Sequence, residues 1–257
     1  MGKSFLVCSG KGGTGKTCTA INLGAALSGF GKETMIVDAD LPTPNIAMHL
    51  RIPEGVKTFN DVMKGTASLS EATHIVGAKL KVLPAAFSIE SLGAFEPKQF
   101  RKILKTVEKE NDITLIDCAP GLGVEVINSL RACDNAIVVL NPELPSLGDA
   151  SKAIQIAQDL DVKIEGIIVN RTGRFRKELT LNEISSVLPN IRVLGTIPDD
   201  SLVPASIAVG RSVVWEYPFS EAANAFKKAA ATLIGKKFEE RVGFVDRFRS
   251  FIERYRG

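Results

Sequence analysis

Phe5-Leu6-Val7-Cys8-Ser9-Gly10-Lys11-Gly12-Gly13-Thr14-Gly15-Lys16-Thr17 is the stretch whose reading decides the fold class. Phe5–Cys8 is a short apolar run, Gly10–Thr17 fits G-x-x-x-x-G-K-[ST], and Thr17–Ser28 continues with helical spacing. In a strand–loop–helix context the glycines let backbone N–H groups turn inward around an anion, and the helix start adds its positive dipole end. Lys16 can reach β- and γ-phosphates, and the Thr17 hydroxyl can ligate Mg²⁺. Gly10, Gly12 and Gly15 also spell G-x-G-x-x-G, with Asp38 and Asp40 ending the next strand as a dinucleotide site would have them. The Lys-Thr pair decides against that reading, because a pyrophosphate site has no use for a lysine and a magnesium-ligating hydroxyl there.

Outward from this loop, short β-branched runs recur at Phe5–Cys8, Thr34–Val37, Lys81–Leu83, Ile113–Ile116, Ala136–Leu140, Ile164–Val169 and Ile191–Ile197. Helical spacing fills the intervals at Thr17–Ser28, Pro97–Glu108, Ser146–Leu160, Glu178–Leu188 and Ser220–Ile234. Apolar runs without polar alternation suit strands buried on both faces, as in a parallel sheet covered by helices. The expectation is therefore an α/β chain: one domain over residues 1–234, a doubly wound, mostly parallel sheet flanked by helices, a P-loop NTPase. Residues 235–242 read as a tether and 243–257 as a C-terminal amphipathic helix. Ligands of such a sheet sit beyond the C-terminal ends of its strands.

Composition bounds the function. The 257 residues are 45% hydrophobic and 24% charged, the proportions of an ordinary globular protein. No apolar run approaches the ~18–20 residues of a membrane-spanning helix, and the first residues reach glycine too soon for a signal peptide, so a cytoplasmic protein is expected. Thirty-two basic residues against 29 acidic leave a net charge of +3, too small for a general nucleic-acid binder. From Lys236 onward there are seven basic and four acidic side chains, so the tail carries the whole excess. Cys8, Cys18, Cys118 and Cys133 form no C-x-x-C pair and read as reduced thiols.

Two further strand ends supply carboxylates. Ile113–Ile116 runs into Asp117, as expected for a residue of a magnesium shell, and Thr34–Val37 runs into Asp38-Ala39-Asp40. Period-two spacing puts Asp38 and Asp40 on one side if the strand continues, where either could orient a water. A lone aspartate at a strand end is more often a cap, but three beside a phosphate loop point to metal and water chemistry.

Lys11 is not part of the generic loop. Lys11-Gly12-Gly13-Thr14-Gly15-Lys16-Thr17 resembles the deviant Walker A signature, K-G-G-x-G-K-[ST], of the MinD/ParA family of dimerising ATPases, and the chain looks most like archaeal-type MinD proteins over residues 1–234. Val37-Asp38-Ala39-Asp40 is similar to the family's switch I and Asp117-Cys118-Ala119-Pro120-Gly121 to its switch II. Asn141-Pro142-Glu143 resembles a MinD strand end, and Ile168-Val169-Asn170-Arg171 with Gly195-Thr196-Ile197-Pro198-Asp199-Asp200 resembles the segments that hold adenine. The resemblance implies ATP or ADP with Mg²⁺ bound by Gly10, Lys11, Gly12, Gly13, Thr14, Gly15, Lys16, Thr17, Cys18, Glu143, Asn170, Arg171, Pro198 and Asp199. It implies metal ligation by Thr17, Asp38, Asp40 and Asp117. Catalysis would fall to Lys11, Lys16 and Asp40, with Lys11 reaching across an ATP-dependent homodimer to the other subunit's phosphates as an arginine finger does. The Ala-Pro-Gly order of switch II departs from the usual MinD pattern, and Pro42 and Pro44 restrict switch I.

In the tail, Phe244, Val245, Phe248, Phe251, Ile252 and Tyr255 fall within about 120° of a helix circumference, edged by arginines. That suits a helix lying in an anionic membrane interface, or one that packs on its own domain or on a partner. One such helix binds lipid marginally and two joined by an ATP dimer bind far better, which implies peripheral attachment to the inner face of the cell membrane. The leading expectation is a MinD-like switch ATPase that positions cell-division or other machinery, with a protein activator or cargo. The neutral body argues against its rival, a ParA-like partitioning ATPase on DNA. The lack of paired cysteines argues against an Mrp-type iron–sulfur carrier. The cluster Arg171, Arg174, Arg176 and Lys177 reads as a solvated loop near the adenine.

Overall fold

The computed structural model describes residues 2–87 and 96–238. The tail helix expected over 243–257, with Phe244, Val245, Phe248, Phe251, Ile252 and Tyr255, lies outside the described residues. The elements run β1 (Lys3–Cys8), α1 (Lys16–Gly29), β2 (Thr34–Ala39), α2 (Ile46–His49), α3 (Phe59–Lys64), α4 (Leu69–Ala72), β3 (His74–Gly77), β4 (Leu80–Leu83) and α5 (Pro97–Glu110). They continue β5 (Ile113–Cys118), α6 (Val124–Ala132), β6 (Asn135–Leu140), α7 (Leu144–Asp159), β7 (Lys163–Thr172), α8 (Leu181–Val187), β8 (Val193–Pro198), α9 (Leu202–Ala208), α10 (Val213–Glu216) and α11 (Glu221–Leu233).

The strands form one sheet of eight in the order β3-β4-β2-β5-β1-β6-β7-β8. Every pairing is parallel except that of β3 with β4. β2 and β5 are buried at all six positions, as their unbroken apolar runs require. The chain fills the sheet on one side of β1 with β2, β4 and β5, then crosses to fill the other with β6, β7 and β8. This reversal opens a crevice at the C-terminal end of β1, where the glycine loop begins. The antiparallel strand β3 escaped the sequence reading because His74-Ile75-Val76-Gly77 is short and lies at the sheet edge, with Ile75 78% exposed.

Two apolar layers sandwich the sheet, one holding Leu27, Ile36 and Phe226 and the other Phe59, Phe100 and Leu104. α1 and α11 cover the first face and can approach closely because their contact residues are small. α11 buries Ala222, Ala223, Ala229, Ala230 and Ala231. A Cβ at Gly195 of β8 would stand 2.8 Å from the Ala229 Cβ, so the glycine sets how near α11 lies to the sheet. None of the described helices is long and apolar enough to cross a membrane.

Gly195→Ala is expected to destabilise the protein by about 1–3 kcal/mol through overpacking, lowering Tm by about 2–4 °C for each kcal/mol. Gly148 of α7 has nothing within 4 Å of an added Cβ, so Gly148→Ala should be neutral or stabilise by up to about 1 kcal/mol. Thermal melts of the two variants check the contrast.

Candidate nucleotide site

The loop after β1 is held in shape from three sides. The Ser9 hydroxyl donates to the Lys11 carbonyl at 2.7 Å. A Cβ at Gly10 would lie 2.2 Å from the backbone of Asp149, so α7 presses directly on the loop and only glycine fits. Gly13 and Gly15 sit at φ of 79° and 91°, a left-handed conformation open to glycine. Across the crevice, the Asn170 side-chain amide donates to the Thr14 carbonyl at 2.7 Å, fastening the loop to the end of β7. Asn141 can turn its amide nitrogen toward the Thr14 and Asn170 carbonyls at 3.3 Å, which reinforces that latch.

Beyond the loop opens a cavity of about 550 Å³. Of the residues expected to bind nucleotide, Gly12, Gly13, Gly15, Lys16, Thr17, Cys18, Asn170, Arg171, Pro198 and Asp199 line it. Asp40 also lines it. Gly10, Lys11, Thr14 and Glu143 stand off from it: Gly10 packs under Asp149, and Thr14 is buried with its hydroxyl unpartnered. Lys11 points outward and meets Glu143 at 3.7 Å, each side chain 36% exposed.

The three aspartates separate into three environments. β2 stops at Ala39, so Asp38 and Asp40 do not share a strand face as the period-two spacing suggested. Asp38 sits beside Asp117 in register across β2 and β5. Its two oxygens accept the backbone N–H groups of Asp40 at 3.1 Å and Ile46 at 3.2 Å. Asp38 thus braces the loop between β2 and α2, and burial, with the neighbouring Asp117 charge, pushes its carboxyl well up. Asp40 closes a turn, accepting the Thr43 N–H and hydroxyl, both at 3.0 Å. Burial raises Asp40 as well, while Thr43 and Lys16 oppose the rise. Asp117 is buried with neither oxygen hydrogen-bonded. Burial pushes it to about 7, against the pull of the Thr17 hydroxyl and Lys16 beside it.

A buried carboxylate with two free oxygens next to a threonine hydroxyl and a lysine ammonium fits a hard divalent cation, which supplies the missing charge. Lys16 is only 7% exposed at the first residue of α1, where it faces the same carboxylates. The arrangement can hold a polyphosphate at the helix start and a magnesium ion beneath it.

Sequence reasoning missed the far wall. Thr43, Asn45 and His49, then Val203, Pro204 and Ile207 of α9, and Phe226 of α11 complete the cavity. The signal was Asp200, whose carboxylate accepts the N–H groups of Leu202 at 2.9 Å and Ala222 at 3.2 Å. It starts α9 over the cavity and ties it to α11. Arg174 lines the cavity, stacks on Phe175 and lies 3.8 Å from Asp199, so this member of the basic cluster belongs to the site.

The sequence model of the ParA family, described as NUBPL iron-transfer P-loop NTPase, matches residues 1–234. The chain belongs to the ParA/MinD family of P-loop ATPases. An uncharacterized ATP-binding protein of Methanocaldococcus jannaschii is 37% identical over 239 residues, covering 93% of this chain and 90% of its own. The septum site-determining protein MinD of Synechocystis is 32% identical over 247 residues, covering 92% and 91%. Among solved structures, the septum site-determining protein MinD of Pyrococcus horikoshii, complexed with Mg-ADP, superposes with a TM-score of 0.84 at 31% identity over 90% of this chain and 95% of that one. Enzymes of this family bind and hydrolyse ATP with Mg²⁺, and this chain is one of them.

Cys8 and Cys118 are buried in the sheet, and Cys133 is buried at the end of α6. Burial pushes Cys8 up to about 12 and Cys18 to about 11, and raises Cys118 and Cys133 as well. The thiols are therefore inert near neutral pH. With Ellman's reagent at pH 8, at most Cys18, the part-exposed one lining the cavity, should react slowly in the native protein, and ATP should protect it. All four should react at once in guanidinium.

Proposed function

We propose that the protein is a MinD-like switch ATPase that dimerises around ATP, hydrolyses it in the dimer and positions cell-division or other machinery. It would bind an anionic membrane surface through residues 243–257 on the inner face of the cell membrane. The observation that carries this reading is the division between the two lysines of the loop. Lys16 is buried among the carboxylates of its own site, while Lys11 is half-buried, outside its own cavity, and paired with the half-buried carboxylate of Glu143. A surface pair of that kind is worth about 0–1 kcal/mol, so Lys11 is free to leave Glu143 for the phosphates of a second subunit.

In this mechanism the backbone of Gly10, Gly12, Gly13, Thr14 and Gly15 encloses the phosphates, with Lys16 on the β- and γ-oxygens. Thr17 and Asp117 hold the metal, and Asp38 supports them by fixing the loop that follows β2. A magnesium ion held there would offset the negative charge that develops on the phosphates. Asp40 orients the attacking water, and Asn170, Arg171, Pro198 and Asp199 hold the base. Lys11 of the second subunit meets the charge that develops on the transferred phosphoryl group, which makes turnover conditional on dimerisation. Release of the phosphate frees the loop closed by Asp40 and Thr43, and the dimer separates. A protein activator or cargo would read that change.

Lys11→Ala should lower kcat by roughly 10³-fold or more, the scale of an arginine finger, while leaving the melting temperature unchanged. Unaltered turnover would mean that Lys11 has no part in the chemistry. Asp40→Ala should keep ATP binding and accumulate the ATP dimer in size-exclusion chromatography; a variant that turns over at the normal rate assigns the water to another residue. Sedimentation with phosphatidylglycerol liposomes tests the anchor. The full chain should pellet with ATP and not with ADP, and a chain ending at Glu240 should pellet with neither.

A further inference from the structure

A second cavity, of about 760 Å³, lies on the opposite end of α1 from the nucleotide. Its walls are the last two turns of α1, the short helix α10 and the approach to α11, with Ala25, Ala26, Phe30, Val214, Trp215 and Pro218 supplying an apolar floor. Lys227 is half-buried at its side, donates to the Pro218 carbonyl, and is lowered by that burial. None of this belongs to the ATPase chemistry.

The chain itself enters this groove. α11 ends in a Schellman turn: Gly235 takes φ of 67°, its N–H bonds to the Thr232 carbonyl at 3.3 Å, and the Lys236 N–H bonds to the Ala231 carbonyl at 2.8 Å. The turn sends the backbone across the end of α1. Lys236 places its ammonium 5.9 Å from the centre of the Phe30 ring and donates to the Phe30 carbonyl at 3.4 Å. Phe238 then sits in the groove, edge-on to Phe30 with ring centres 6.0 Å apart. The first residues of the expected tether are thus fastened to the body, and the described chain ends inside an apolar groove with 19 residues still to follow.

We infer that the groove between α1, α10 and α11 is the docking site of this chain's own residues 244–255, which shelter their apolar stripe there when the protein is off the membrane. From Phe238 to Phe244 the backbone can span up to about 20 Å, ample to turn back over the groove. Phe244, Phe248, Phe251 and Tyr255 have the i, i+3/i+4 spacing with which an amphipathic helix seats in such a groove. A stripe of four aromatics in a monomer's tail is an aggregation hazard if left in water, and Phe238 already leads it into cover. The docking stands on these contacts; only the release of the tail to lipid rests on the anchor reading above. α1 runs from Lys16 in the phosphate site to Phe30 in the groove wall, so one helix borders both.

The chain's single tryptophan, Trp215, lines the groove and reports on it directly. The test is acrylamide quenching of Trp215 in the full chain and in a full chain carrying Phe248→Asp with Phe251→Asp, changes confined to the tail. Without lipid, the quenching constant should be severalfold lower in the wild type, with a blue-shifted emission maximum. Equal quenching in the two chains would overturn the docking. A difference that vanishes on dilution would also overturn it, showing that the tail of a second copy fills the groove. Phosphatidylglycerol liposomes with ATP should then raise wild-type quenching to the variant's level. If the wild type stays shielded and does not pellet, the docking holds and the anchor reading fails. If it pellets while quenching was always equal, the anchor holds and the docking fails.

Discussion

Three carboxylates and one ammonium are buried where β1, β2 and β5 end, and the rest of the site is arranged around that problem. Asp38 and Asp117 lie side by side across adjacent strands, a pairing that like charges oppose. Each escapes differently. Asp38 takes the N–H groups of Asp40 and Ile46, which offset part of the rise that burial and Asp117 impose on its carboxyl. Asp117 has no hydrogen-bond partner at either oxygen, with Thr17 and Lys16 beside it to oppose the effect of burial and of the neighbouring aspartates. A divalent cation at Asp117 would remove the deficit, and a shift of charge there would reach Asp38, which braces the loop holding Asp40 and Thr43. The end of β5 and the loop after β2 therefore meet through one pair of neighbouring side chains.

The sheet order makes that arrangement possible. Because the chain fills one side of β1 before the other, β5 and β6 flank β1 and no connection closes over its end. The glycine loop occupies the opening, with α7 against Gly10 on one side and Asn170 of β7 latched to Thr14 on the other. Both contacts come from residues more than 130 positions away in the chain. Loop conformation is therefore a property of the finished fold, although its glycines are local.

That division explains what could be read from the sequence. The central strands announce themselves as apolar runs, and α1, α5, α7 and α11 as long helical patterns, so their positions were legible to within a few residues. The short helices α2, α3, α4, α9 and α10 were not, and α8 was expected over a longer span than it has. α4, α8 and α10 exist because Ser68, Thr180 and Ser212 cap them and because the sheet supports them, not because an isolated helix of that length is stable. The helix expected from Glu178 starts at Leu181 because the Glu178 carboxylate is taken by the N–H groups of Gly173 and Phe175, both at 2.7 Å. The phosphate half of the site was legible because a motif of fixed spacing builds it. The cavity wall formed by α9 was not, since Val203, Pro204 and Ile207 carry no chemistry until Asp200 aims the helix.

Lys11 and Lys16 show how far a motif goes. Both belong to one seven-residue signature, and nothing in residue type distinguishes their roles. Burial does. Withdrawing Lys16 would leave buried carboxylates uncompensated, a loss on the order of 3–5 kcal/mol, so its position is fixed by its own subunit. Lys11 gives up only an exposed contact with Glu143, so a stronger anion in reach can take it. The charge that defines the site is thus held in place, and the charge that can serve another molecule is held loosely, a few residues apart on the same loop.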